Sequence, residues 1–192
     1  TITLYSNCLE TKEFADGAQS ARNVLLLHGA KFSARTWKDL KTLDILGQHG
    51  YRVVAINLPR DKRWEPVESV VVFGMVLGMD AGNPAVVVSP SASGGYSIPL
   101  LLHKPELFRG FVPVAPGEVE AHNPEDFTSI NVPALILYGE FDKHGAERSL
   151  GYLAYMPNAK VLMFPHSSHP CYLDIPEMFH SELLSFLLST LV

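Results

Sequence analysis

Long apolar runs, basic runs and cysteine are what this sequence is short of, and each shortage closes off a class of function. No stretch reaches the roughly 18 to 20 consecutive apolar residues that a bilayer span needs, since Val70 to Met79 and Leu183 to Val192 each stop well short. Lysine and arginine never run together long enough to neutralise a phosphate backbone, and 15 basic against 20 acidic residues leave a net charge of -5. Nucleic acid is therefore not an expected partner. The densest charge cluster, Arg60-Asp61-Lys62-Arg63, is mixed in sign and lies between Pro59 and Pro66, which is the composition of a solvated loop. The two cysteines, Cys8 and Cys171, are far apart and form no CxxC pair. Neither a disulfide framework nor a metal site is expected, and a reducing, cytoplasmic or nuclear setting is the simpler one. Repeats, low-complexity tracts and Gly/Ser linkers are missing too, so 192 residues read as one domain spanning 1–192. The sequence begins at Thr1 rather than Met, which leaves open an upstream signal or anchor removed before this point.

What is present is a 47% apolar content dealt out in short runs. Strand-like segments recur at Val24 to His28, Tyr51 to Asn57, Ala85 to Ser89, Gly110 to Val114, Ala134 to Tyr138 and Lys160 to Phe164, with Thr1 to Ser6 as a candidate edge strand. Helical patterns fill most of the gaps. Trp37, Leu40, Leu43 and Leu46 recur every three residues, and Phe179, Leu183, Phe186 and Leu187 mark one buried helix face. Such alternation predicts an α/β fold, a mainly parallel sheet with helices on both faces. Right-handed crossovers then place the loops that follow the strands along one edge, where ligands bind. The segment from 115 to 133 has room for a loop and a short helix but not for a large cap domain, so an open site is expected.

Residues 85 to 96, Ala-Val-Val-Val-Ser-Pro-Ser-Ala-Ser-Gly-Gly-Tyr, drive a β-branched run into a turn of tiny residues centred on Ser91. This resembles a nucleophile elbow, in which a strand reverses into a helix and leaves the serine in strained backbone geometry with its hydroxyl exposed. Ser89 and Ser93 stand where glycine is more usual. A serine needs a base and the base needs an acid. Leu135 to Phe141 is a buried strand running into a glycine turn, with Asp142 just past its end, and Pro165-His166-Ser167-Ser168-His169-Pro170 offers His169 after the next strand. The order Ser, Asp, His, each after a separate strand, is that of the α/β-hydrolases. The loop after Val24-Leu25-Leu26-Leu27-His28-Gly29-Ala30 can aim backbone N–H groups inward, so the amides of Ala30 and Ala92 are the expected oxyanion donors.

Competing residues read as structural. Glu140 and His166 are surface neighbours of the candidate acid and base, and the HxxH pair of His166 and His169 is bracketed by prolines with no third ligand nearby. Cys171 reads as a small packing residue, Asp174 falls after the histidine, and His28 packs and hydrogen-bonds. His49, His103, His122, His144 and His180 read as surface residues without partners. Phe32, Trp37, Trp64 and Tyr96 are candidate pocket walls, though such aromatics more often belong to a core.

Five segments carry a resemblance to a known family. They are Leu25-Leu26-Leu27-His28-Gly29, Gly50 to Ile56, Ser89-Pro90-Ser91-Ala92-Ser93-Gly94, Gly110 to Pro116, and His169-Pro170-Cys171-Tyr172-Leu173-Asp174. Together they resemble the α/β-hydrolase domain-containing protein 14 group, with its A and B branches. The resemblance implies an α/β-hydrolase fold with Ser91 as nucleophile, Asp142 as acid and His169 as base. It implies hydrolysis of small acyl esters, thioesters or amides. From the B branch it implies removal of acetyl groups from protein lysines with coenzyme A as acceptor, and hence an acylated protein as partner. The A branch includes membrane-anchored forms. Where the family has a glycine-rich turn after Leu-Pro, this chain has Arg60 to Trp64, which alters one wall of the site. Against the enzyme stands one alternative, a non-catalytic binding or interaction module on the same fold.

Overall fold

The structure is a computed structural model that describes residues 4–6, 22–58 and 82–190. Cys8, the Arg60 to Trp64 loop, the Val70 to Met79 run and Val192 lie outside the described residues. Seven strands form one sheet: β1 (Leu4–Ser6), β2 (Asn23–Leu26), β3 (Arg52–Ile56), β4 (Ala85–Pro90), β5 (Phe108–Val114), β6 (Ala134–Gly139) and β7 (Ala159–Phe164). Their order is β1-β3-β2-β4-β5-β6-β7. β1 pairs antiparallel with β3, and every other pairing is parallel. The chain moves from β2 to β3 on one side and then returns to place β4 on the other side of β2. That reversal is a topological switch point between β2 and β4, beyond whose carboxyl ends open α/β sheets bind ligands.

Parallel strands buried on both faces favour apolar residues on both, which is why Val24 to Leu26 and Ala85 to Val88 read as unbroken runs. Alternate residues serve opposite layers. Leu25, Leu27, Val54, Ile56, Val87, Phe111 and Ile136 pack in one cluster with Ile98, Leu100 and Leu101 of α3 (Gly94–His103). Val24, Leu26, Val53, Ala55, Val86, Val88, Val112 and Leu135 face the other cluster. There they meet α1 (Arg35–Asp39), α2 (Thr42–Gln48), the short α5 (Cys171–Asp174) and α6 (Pro176–Ser189). α4 (Lys143–Gly151) follows β6.

The every-third-residue pattern from Trp37 to Leu46 becomes two helices rather than one. The break is at Lys41, whose φ of 59° is left-handed and interrupts the helical path between Asp39 and Thr42. Between residues 115 and 133 the structure has two 3-10 turns, Val119–Ala121 and Pro124–Phe127, in place of a short α-helix.

An aromatic stack ties the second layer to the sheet. The Trp37 ring lies 4.9 Å from that of Tyr172 and 5.7 Å from that of Phe179, and its indole Nε1 donates to the Leu27 carbonyl at 2.6 Å. One side chain thereby joins the end of β2 to α5 and α6. Trp37 is fully buried and belongs to the core.

His180 corrects the expectation of a partnerless surface histidine. It is buried on α6 and its Nε2 lies 2.9 Å from the Thr42 hydroxyl of α2, because Phe179, His180, Leu183 and Leu187 share the inward face of that helix. His49 and His103 are exposed, but each contacts a carbonyl one turn back in its own helix, Ile45 and Pro99. His144 faces Glu147, and His122 packs edge-on against Phe127.

Burial lowers the His180 pKa below its ordinary 6.5, partly offset by the charge of Glu177. The unfolded chain therefore takes up this proton more readily than the folded one, and stability rises with pH. The contribution is fully present above about pH 6.5 and is lost as pH falls through that value and below it. Urea denaturation at pH 7.5 and pH 5 is expected to show a lower midpoint in acid, with part of the difference abolished in His180→Gln. An unchanged slope in that variant would exclude His180 as its source.

Candidate active site

Ser91 directly follows β4 and has a φ of 51°, a left-handed conformation that costs a non-glycine residue about 1–3 kcal/mol. The chain passes through a 3-10 turn, Ser91–Ser93, into α3. Such a reversal leaves room only for small neighbours. A Cβ on Gly94 would collide with the Gly117 carbonyl oxygen, and one on Gly29 would sit 3.3 Å from the Ser91 Cβ.

Both peptides that flank Ser91 are held. Upstream, the Ser93 hydroxyl donates to the Pro90 carbonyl at 2.7 Å. Downstream, the Gly117 N–H donates to the Ser91 carbonyl at 2.8 Å. Because a peptide is planar and trans, pinning the Ser91 oxygen in one direction turns the Ala92 N–H in the opposite one. Ala92 is exposed. Ala30 is also exposed and immediately follows Gly29, the residue that rests against Ser91.

The acid-bearing turn and the base-bearing loop are zipped together by their backbones. Glu140 N–H donates to the Phe164 carbonyl and Phe141 N–H to the Ser167 carbonyl, each at 2.9 Å. A Cβ on Gly139 would collide with the carbonyl oxygens of Ser167 and Ser168, so glycine lets the loop lie directly on the end of β6. Asp142 caps α4, accepting the Gly145 N–H on Oδ1 at 3.0 Å. Its Oδ2 lies 2.5 Å from His169 Nδ1, and His169 Nε2 lies 2.8 Å from the Ser91 hydroxyl. The Asp142 side chain is 10% exposed and that of His169 39%. With the carboxylate accepting from Nδ1–H, Nε2 is left as an acceptor aimed at the Ser91 proton.

The structure thus brings Ser91, His169 and Asp142 into one hydrogen-bonded line. The competing residues do other things. Glu140 accepts the His166 N–H at 2.6 Å and faces its imidazole at 3.4 Å, so the two partner each other at the surface. His28 is buried, with Nε2 accepting the Leu58 N–H and Nδ1 bonding the Gly29 carbonyl, both at 2.9 Å. Asp174 accepts both the N–H and the hydroxyl of Ser168 at 2.6 Å and so braces the residue before His169. Cys171 is fully buried, and desolvation, reinforced by Asp174, pushes its thiol up to about 12. Phe32 approaches Gly29, and Tyr96 packs against the α3 side of the core. Among the described residues no three His, Cys, Asp or Glu side chains cluster as metal ligands, and no helix is long and apolar enough to cross a membrane.

Gly117, Gly145 and Ser97 went unnoticed in the sequence. Gly145 permits the cap, since a Cβ there would collide with the Asp142 carboxylate. Its signal was a glycine three residues after an acid that begins a helix. Ser97 continues the four-residue spacing of Ser89 and Ser93.

Against known proteins, the chain is 41% identical to the human "Putative protein-lysine deacylase ABHD14B" over 198 residues, covering 97% of this chain and 93% of that protein. The chain belongs to the ABHD14 family. Human ABHD14A is 39% identical to this ABHD14 chain over 172 residues, covering 85% of it and 63% of the human protein. No family model matches. Among solved structures, a predicted CIB-like hydrolase from Thermoplasma acidophilum aligns with a TM-score of 0.77 at 21% identity, covering 97% of this chain and 99% of that one. The fold is that of the α/β-hydrolases.

Two outcomes follow for this ABHD14 chain. Alkylation of the native protein at pH 8 is expected to leave Cys171 unmodified until denaturant is added, as peptide mapping would show; rapid native labelling would contradict its burial. Gly145→Ala is expected to lower stability by about 1–3 kcal/mol in urea titrations, whereas a neutral result would mean that the Asp142 carboxylate can move aside freely.

Proposed function

We propose that this ABHD14 chain is a serine hydrolase in which Ser91, His169 and Asp142 carry acyl transfer. The observation that carries the reading is the imidazole of His169, held between the Ser91 hydroxyl and the Asp142 carboxylate at 2.8 and 2.5 Å. His169 Nε2 takes the proton of Ser91 as Oγ attacks the acyl carbonyl carbon, and Asp142 stabilises the imidazolium that forms. The tetrahedral oxyanion is met by the amides of Ala30 and Ala92; one such donor is typically worth about 3 kcal/mol of transition-state stabilisation. His169 then gives its proton to the leaving alcohol, thiol or amine, and the acyl group remains on Ser91.

In the second half His169 takes a proton from the acceptor, which attacks the acyl-serine, and returns that proton to Ser91. Water as acceptor releases a carboxylic acid. A thiol such as coenzyme A would instead carry the acyl group away as a thioester, and neither route needs any other cofactor. The substrate class we favour is a small acyl group on an ester, thioester or amide, including an acylated lysine side chain. The lysine substrate rests on the human relative, "Putative protein-lysine deacylase ABHD14B", and the partly exposed His169 leaves room for a bulky leaving group at the mouth of the site.

Turnover of p-nitrophenyl esters from acetate to octanoate tests the reading. Wild type is expected to show a burst and Ser91→Ala to lose activity by roughly a thousandfold or more. Asp142→Asn is expected to lower kcat by several orders of magnitude, since it no longer fixes the His169 tautomer. Equal, slow turnover in wild type and Ser91→Ala would favour a non-catalytic binding module.

A further inference from the structure

We propose that a buried chain of three serine hydroxyls, Ser97, Ser89 and Ser93, is a positioning device for Ser91; this rests on the reading of Ser91 as nucleophile. All three residues are fully buried. Ser89 lies 2.6 Å from Ser97 and 2.9 Å from Ser93, oxygen to oxygen, and Ser93 donates to the Pro90 carbonyl at 2.7 Å.

Each hydroxyl has one proton, and this sets the direction of the chain. Ser93 gives its proton to Pro90, so Ser89 must donate to Ser93. Ser89 has then used its own proton and must accept from Ser97. The line runs Ser97 to Ser89 to Ser93 to the Pro90 carbonyl. It spans the end of β4, the 3-10 turn and the second turn of α3.

The endpoint matters most. The Pro90 carbonyl belongs to the peptide joined to the Ser91 nitrogen, and the orientation of that peptide plane about N–Cα is the φ of Ser91. Holding the carbonyl therefore holds Ser91 at its strained value of 51°. Strain of this kind persists only where the surroundings over-determine it. Glycine at positions 89 and 93 would supply the space for the turn but not this restraint. The serines make the elbow stiffer, and through Ser97 they extend its support six residues beyond the nucleophile.

Time-resolved labelling with a fluorophosphonate separates positioning from folding. The final amplitude counts competent molecules, and the rate constant at fixed probe concentration reports the reactivity of each. Ser93→Gly, which removes the bond to Pro90, is expected to lower that rate constant about tenfold, and Ser97→Ala, which keeps that bond but frees the far end of the line, about threefold, with kcat on p-nitrophenyl acetate falling in step and KM within about twofold. Ser89→Ala serves as a second break in the same line should either variant fold poorly. Because Ser97 acts only through the Ser93 hydroxyl, Ser93→Gly/Ser97→Ala should be about as slow as Ser93→Gly alone. Rate constants within about twofold of wild type, whatever the amplitudes, or losses that multiply in the double variant, would overturn the proposal. Wild type that never labels would instead overturn the assignment of Ser91 as nucleophile, and the proposal with it.

Discussion

A single backbone torsion, the left-handed φ at Ser91, sets the terms for its whole neighbourhood. Turning a buried strand into a helix through a single 3-10 turn forces neighbouring segments into near contact, and only small residues tolerate that. Gly29 from the loop after β2, Gly94 at the start of α3 and Gly117 after β5 occupy those contacts. The strain is offset by hydrogen bonds on either side, from Ser93 to the Pro90 carbonyl and from Gly117 to the Ser91 carbonyl. The same bonds aim the Ser91 side chain and the Ala92 amide, so the forces that stabilise the turn also orient the groups that chemistry would use.

Asp142 and His169 reach Ser91 from two strands further along the sheet, and a loop by itself would hold them loosely. Two features make them stiff. Backbone bonds join the turn after β6 to the loop after β7, and Gly139 lets them touch without an intervening side chain. Beyond the loop, the stack of Tyr172 on Trp37 anchors α5 to the end of β2. His169 is thus fixed from the acid side by Asp142, from behind by Asp174 acting on Ser168, and from the core by Tyr172. Burial does the opposite at Cys171, two residues on, where it keeps the thiol protonated and unreactive.

Much of this architecture was legible because it rests on local chemistry. The apolar runs at Val86 to Val88 and Leu135 to Leu137 must be strands buried on both faces, and tiny residues around Ser91 signal a tight reversal whatever surrounds it. The break at Lys41 was not legible, since the apolar period continues across it and only the packing of α1 and α2 on the sheet reveals the turn. His180 was missed for a related reason: a histidine on a helix looks like a surface residue until its face is known to meet Thr42, 138 positions earlier in the chain. Gly117 carries no signal of its own, because what it must avoid is distant in sequence.

By itself the sequence determined where the buried strands fall and in what order, and it pointed to Ser91, Asp142 and His169 as the candidate nucleophile, acid and base, because periodicity, turn chemistry and residue type are properties of neighbours along the chain. Tertiary structure decided the contacts themselves: His169 lies against both Ser91 and Asp142 while His166 and Glu140 pair with each other, and Ser89, Ser93 and Ser97 are hydrogen-bonded in one line. Those choices are differences of a few ångströms between residues one to three positions apart. They are settled by which way each loop is pinned against a strand end brought alongside it by the sheet.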